Sequence, residues 1–336
     1  MRKYCRTFLV IAFLLISSPV SHARNITEDL GDLEITVSPE APEPFGQVNF
    51  RMADYSIDLS STDIRWLVNG RELARGVGLV QFSTKVGALG QLTTVVVRVS
   101  TKNGLSLSKE IRIRPASVDL IWQADSSVPI FYKGKALPST KNELTIFAVP
   151  HILVGGKRVD PSQLRYSWSL DFDTQPYLSG VGKSTLVTKI VDLIGQTDIS
   201  VDVSTLDNKS RAHGHISISP FNTRALIYEL DPLTGVNLTQ PILGTLTLSD
   251  QETTLYASDF FFPKSHKKKE GLFYQWSLNG KGAIANDKNP NTLTIRQEGA
   301  NTGSARVSVS VSDPFDSLIK AVQNFMVEFG STGTFQ

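Results

Sequence analysis

The chain has 336 residues, 40% of them hydrophobic and 20% charged, and a formal net charge of +2. Its single cysteine, Cys5, excludes a disulfide framework, cysteine-ligated zinc and iron–sulfur clusters. So even a charge balance gives no global electrostatic case for binding nucleic acid.

The N-terminus reads as a secretory signal. Met1 to Arg6 is basic, Phe8–Ile16 is an unbroken apolar run of nine, and Ser21-His-Ala23 offers small residues at the cleavage positions. The run is too short to span a bilayer, which takes about 20 residues, so no stable transmembrane span is expected once residues 1–23 are removed. Cleavage after Ala23 takes Cys5 and three basic residues with it. The mature chain then carries 31 basic and 32 acidic residues and no thiol. An extracytoplasmic location is expected, secreted or in the cell envelope.

Residues 24–33 are polar and read as a leader. Strand patterns follow. Leu33 to Val37 alternates, Pro39, Pro42, Pro44 and Gly46 mark a turn, and Val48, Phe50 and Met52 share one face of a second strand. Next comes Ile64-Arg-Trp66-Leu-Val-Asn-Gly70, a half-buried strand running into a hairpin signal. Val95, Val97 and Val99 form a later strand, which turns at Lys102-Asn-Gly104 and returns through Leu105–Ile113 to Pro115.

The plan then repeats. Val118, Leu120 and Trp122 open a second unit. Tyr166-Ser-Trp168 is its central strand, Ile199, Val201 and Val203 its late strand, and Asp207-Asn208 the turn before His213–Ile218 and Pro220. A third unit matches the second closely: Leu226-Ile-Tyr228 and Asp231 stand 106 residues after Leu120-Ile-Trp122 and Asp125. It continues through Tyr274-Gln-Trp276-Ser-Leu-Asn-Gly280 and Val307, Val309 and Val311, turns at Asp313-Pro-Phe-Asp316, and closes on Leu318–Phe329.

The tryptophans lie 102 and 108 residues apart, and each precedes the middle of its late strand by 31, 33 and 33 residues. One large aromatic per ~100 residues on a half-buried strand predicts a β-sandwich core residue. The expected fold is all-β, with three tandem immunoglobulin-like β-sandwich domains in an elongated chain. Their boundaries are expected at 33–115, 116–220 and 221–330, and the joints near Pro115 and Pro220 lack any flexible linker composition.

The Tyr-x-Trp strands at Trp168 and Trp276, Asn279-Gly280, and the late Val-x-Val-x-Val strands carry a resemblance. They resemble the tandem immunoglobulin-like and polycystic-kidney-disease-type (PKD-like) modules of bacterial surface proteins. Leu120–Asp125 with Val128–Pro138 is similar to secreted repeat proteins of small uncultured bacteria. The acidic and glycine residues that usually follow the tryptophan in PKD modules are mostly absent, as are the disulfide pair and tyrosine corner of antibody domains. The resemblance implies a spacer, an adhesive arm or a docking module, and fold alone does not choose among them.

Several motifs invite chemistry. Gly180-Val-Gly182-Lys183-Ser184-Thr185 suggests a phosphate loop, but Tyr177 stands where its first glycine is needed and no helix pattern follows. The expectation is a turn. His213 and His215 project to one face and could share a metal ion, yet His151 is remote and Asp207 is only a loop carboxylate. Asp171-Phe-Asp173 and Asp313-Pro-Phe-Asp316 offer at most two carboxylates each, where calcium takes six to eight oxygens. The basic run His266–Lys269 beside Phe260-Phe-Phe-Pro263 is a candidate surface for anionic glycans or headgroups, against a solvated loop with inward phenylalanines. Trp122 and Tyr228 read as junction packing in preference to sugar platforms.

No catalytic, cofactor-binding or metal-binding residue is assigned, no cofactor is expected, and no binding residue is singled out. The sequence points to a non-enzymatic secreted or cell-surface structural protein, an envelope or surface-assembly scaffold that binds other proteins. The alternative is a carbohydrate-binding adhesin or receptor, with a glycan as partner.

Overall fold

The computed structural model of the protein describes residues 33–54, 57–102, 104, 106–189, 195–248, 251–264, 271–299 and 302–330. The expected signal segment 1–23 with Cys5, the polar stretch up to residue 32 and the basic run His266–Lys269 lie outside them.

Each repeated tryptophan strand is central in a sheet that faces a second sheet. Around Trp66, Asp63–Val68 lies between Arg71–Val77 and Thr93–Ser100, and the latter pairs with Ser106–Ile113. Opposite stand Glu34–Ser38, Gln47–Ala53 and Gln81–Lys85. Around Trp168, Arg165–Leu170 pairs with Thr197–Ser204, which pairs with Arg211–Ile218. The facing sheet is Ser117–Ala124, Glu143–His151 and Thr185–Lys189. Around Trp276, Phe273–Leu278 pairs with Gly303–Ser312, and that strand with Lys320–Phe329. Arg224–Asp231, Glu252–Phe260 and Thr292–Arg296 face them.

The alternation read from sequence is the alternation of burial. Val48, Phe50, Met52, Val95, Val97 and Val99 point inward with Trp66, and Val307, Val309 and Val311 with Trp276. Each tryptophan belongs to its own cluster of buried side chains. The chain is thus a tandem array of immunoglobulin-like sandwiches, each with a core of its own.

Two devices recur beneath the repeat. The three indoles are 0–1% exposed, and a buried N–H needs an acceptor. Nε1 of Trp66, Trp168 and Trp276 donates to the carbonyls of Leu79 (2.9 Å), Lys183 (2.8 Å) and Pro290 (3.1 Å). Each acceptor stands two residues before the strand that crosses to the facing sheet, Gln81–Lys85, Thr185–Lys189 or Thr292–Arg296. The indole therefore pins the chain at its crossover.

Three residues after each tryptophan stands an Asn or Asp in the left-handed region: Asn69 (φ 49), Asp171 (φ 48) and Asn279 (φ 51). Their side-chain Oδ1 atoms accept the backbone N–H of Thr94 (2.9 Å), Asp198 (2.8 Å) and Arg306 (2.8 Å). Their own N–H groups donate back to the carbonyls of the same three residues, each at 2.8 Å. Asn and Asp tolerate this conformation and carry the acceptor, so one residue both turns the chain and clamps the late strand.

The third sandwich departs from the second in one respect that the sequence comparison does not foresee. Thr245–Leu248 runs parallel to the last strand, pairing Thr245 with Met326 through Leu248 with Phe329.

Candidate functional surfaces

The motifs singled out in the sequence take structural roles. Gly180–Val181 pairs with Arg165 and Tyr166, Gly182 turns at φ 72, and Thr185–Lys189 is a strand. A phosphate loop needs a helix N-terminus there; this segment instead presents the Lys183 carbonyl to Trp168. His213 Nδ1 lies 2.8 Å from Asp202 Oδ1, and His215 Nε2 lies 3.4 Å from Asp198 Oδ1. His151 stands apart, 2.9 Å from Asp119. Each imidazole thus has its own carboxylate, and no group of three metal-ligating side chains forms among the described residues. Asp171 is the turn clamp described above. Asp313 accepts the N–H of Phe315 (2.8 Å) and Asp316 that of Leu318 (3.0 Å). Asp207 accepts the Thr205 hydroxyl at 2.7 Å and the Lys209 N–H at 3.2 Å. Those bonds, the Thr205 hydroxyl foremost, hold its carboxyl down at about 2.

The aromatic run Phe260–Phe262 is buried. Phe262 enters the Trp276 core, while Phe260 and Phe261 meet a loop of the preceding sandwich. That loop, residues 125–142, follows strand Ser117–Ala124 and reaches across the joint. Ser127 N–H donates to the Phe262 carbonyl (2.7 Å), Phe261 N–H to the Ser127 carbonyl (2.6 Å), and Phe221 N–H to the Pro138 carbonyl (2.7 Å). Ser139 Oγ donates to the Phe261 carbonyl at 2.6 Å. Phe261 itself sits at φ 65, an unfavourable conformation for an aromatic residue that these bonds hold on both sides.

Rings fill the rest of the joint. Phe131 meets Tyr228 edge-on at 5.6 Å, and Tyr132 meets Phe260 and Phe261 at 5.8 Å each. Beside them, buried Asp259 accepts the hydroxyls of Ser127 (2.8 Å) and Tyr274 (2.9 Å). Burial first, and then the Asp259 charge, pushes the Tyr274 phenol well above its usual range. Tyr228 is therefore junction packing. Trp122 is not: it packs on the Trp168 core with Lys135 Nζ 3.2 Å above its ring.

The joint between the Trp66 and Trp168 sandwiches is different. Gly90 N–H holds the carbonyl of Pro115, at the end of the first sandwich, at 2.8 Å; across the joint an added Cβ on Gly90 would stand 2.6 Å from Leu153 Cβ, and Arg211 lies 3.5 Å from Glu40. Alongside runs a groove of about 450 Å³. Ile35, Val37, Ile111 and Ile113 form its floor, and Arg112, Arg114, Lys209 and Arg211 its rim.

No protein-family model matches the chain, and no curated protein matches it. Solved structures do. The three N-terminal domains of the bacteriophage RB49 highly immunogenic outer capsid protein cover 89% of this chain and 98% of their own, at 12% identity and a TM-score of 0.26. Fibronectin(III)-like modules of Clostridium thermocellum CbhA cover 56% and 94%, at 14% identity and a TM-score of 0.28. The central fibronectin-III array of RIM-binding protein covers 90% and 99%, at 10% identity and a TM-score of 0.30. Superpositions this loose do not bear on function, and the sandwich assignment rests on the sheets and cores themselves.

Sequence reasoning placed Tyr228 at the joint but missed the rest of it, and it missed the groove. The rest of the joint had a signal in two aromatic pairs, Phe131-Tyr132 outside any strand and Phe260-Phe261 at the end of one. The groove had none, because its walls come from residues 35–42, 111–114 and 208–211, far apart in the chain.

Proposed function

We propose that this is a non-enzymatic, extracytoplasmic interaction protein. Three sandwiches, divided at 33–115, 116–220 and 221–330, present binding surfaces to other envelope or surface proteins. The observation that carries the reading is the joint around Asp259, Ser127 and Phe261. A chain that hydrogen-bonds and packs one sandwich against the next is suited to holding surfaces at a set spacing. The basic start and apolar run of residues 1–23 support export, and among the described residues no helix is long and apolar enough to cross a membrane.

The carbohydrate alternative leaned on Phe260–Phe262, Trp122 and Tyr228, which are buried or covered. Phe172 and Tyr177 (88% and 95%) are the most exposed aromatics among the described residues and the ones it would now need. Crosslinking in intact producing cells, then recovery of the mature protein and mass spectrometry, tests the reading. A reproducible set of envelope proteins is the expected result. Recovery of the protein alone would overturn it and direct attention to glycan binding through Tyr177.

A further inference from the structure

The seam between the first and last strands is treated differently in each sandwich. Pairing registers define equivalent positions. Trp66 pairs Val97, which pairs Lys109; Trp168 pairs Val201, which pairs Gly214; Trp276 pairs Val309, which pairs Gln323. Lys109, Gly214 and Gln323 are therefore counterparts.

In the second sandwich the seam is closed by contact. A Cβ on Gly214 would stand 2.9 Å from Val118 Cγ1, so the glycine lets the first strand lie directly against the last. In the third it is closed by the chain itself. Thr245–Leu248 adds in parallel to Met326–Phe329. Among the described residues of the first neither device is present. Lys109 replaces the glycine and reaches the Leu33 carbonyl at 2.5 Å. The counterparts of Met326, Val327 and Glu328 are Arg112, Ile113 and Arg114, which line the open groove.

We propose that this groove binds an acidic, extended peptide segment of a partner protein, which adds as a parallel strand to Ile111–Arg114. The proposal rests on the protein-binding reading above and names its partner chemistry. Ser106–Ile113 is the last strand of its sheet, and an edge strand carries outward N–H and C=O groups that a peptide can pair. Side chains of an added strand alternate. One set falls on the isoleucine and valine floor, the other among the four cations of the rim. Glu40, the single carboxylate in the lining, pairs with Arg211; Arg112 and Lys209 pair with Glu110 and Asp207 just outside it, and Arg114 makes no ion pair among the described residues, which leaves the rim one positive charge in excess. The charge complement is acidic, and the floor takes β-branched side chains.

The test uses the mature full chain and a fluorescent peptide of about six alternating glutamate and valine residues, followed by anisotropy. Saturable binding is expected, together with loss of binding for a lysine–valine peptide. Arg114→Gln and Arg211→Gln should each weaken it by about fivefold. A glutamate–valine peptide N-methylated at alternate residues keeps its charge but cannot pair with the edge, so it should not bind. Its failure does not depend on any variant folding. Equal binding of the lysine–valine or the N-methylated peptide would overturn strand addition, as would the absence of binding. Recovery of envelope proteins by crosslinking alongside a peptide that fails to bind would discard the groove and leave the protein-binding reading in place.

Discussion

Asn279 shows how much one turn residue carries. Its backbone occupies φ 51, its Oδ1 accepts the Arg306 N–H, and its own N–H donates to the Arg306 carbonyl. Asn279→Ala loses the side-chain acceptor and meets the left-handed penalty, so it should cost about 2 kcal/mol. Asn279→Gly keeps the conformation and loses only the bond, and should cost about 1 kcal/mol. Urea denaturation of the two variants checks both the size and the order; equal losses would mean that the conformation contributes nothing. Asp207 makes a prediction about pH. Hydrogen bonds from Thr205 and then Lys209 hold its folded pKa at about 2, while an unfolded aspartate titrates near about 4. A lowered folded pKa contributes stability that is fully present above about pH 4 and is lost as pH falls through about 2. The group is exposed, so the contribution is small. Asp207→Asn should lower the denaturation midpoint slightly at pH 7 and flatten its decline between pH 4 and 2; parallel curves for variant and parent over that range would refute it.

At the scale of elements, the indole-to-carbonyl bond explains why tryptophan occupies the repeat position. Phenylalanine would fill most of the space but could not hold the crossover. Trp168→Phe leaves the Lys183 carbonyl without its donor and opens a small void, at a cost of about 2–4 kcal/mol. Hydrogen exchange should reveal the loss locally, with protection falling first in Thr185–Lys189; uniform loss across the sandwich would argue against a pin. The tryptophan strands and the Val-x-Val-x-Val strands could be read from the sequence because a period of two, repeated at constant spacing, reflects burial directly. The acceptors Leu79, Lys183 and Pro290 could not. A backbone carbonyl has no residue identity, so nothing in the sequence marks it. Nor could the parallel strand Thr245–Leu248 be read, since its four residues are too few to show a period and its partner lies 81 residues away. The groove was hidden for the same reason: its character lies in what Lys109 replaces, and that becomes visible only once the registers align it with Gly214.

Across the whole molecule the two joints differ in kind, and thermal unfolding should report it. Between the Trp168 and Trp276 sandwiches, ring contacts from Phe131 and Tyr132 and a buried carboxylate bind two cores that share no core residue. Between the Trp66 and Trp168 sandwiches, the contacts include an exposed ion pair of little worth, Arg211 with Glu40, and Gly90, where an added Cβ would stand 2.6 Å from Leu153 Cβ. The second and third sandwiches should therefore unfold together, and the first apart from them. Phe131 and Tyr132 belong to the joint and to neither core cluster. Their joint replacement by alanine removes edge-on aromatic contacts worth about 0.5–1.5 kcal/mol per pair beyond their buried area. That should split the common calorimetric transition into two while leaving the transition of the first sandwich in place. If the common transition instead moves to lower temperature without splitting, the joint stabilises a single cooperative unit through its other bonds, chief among them those of Ser127 and Ser139. A parent protein that already unfolds in three separate steps would show that the joint couples nothing, and the fixed-spacing role would lose its physical basis.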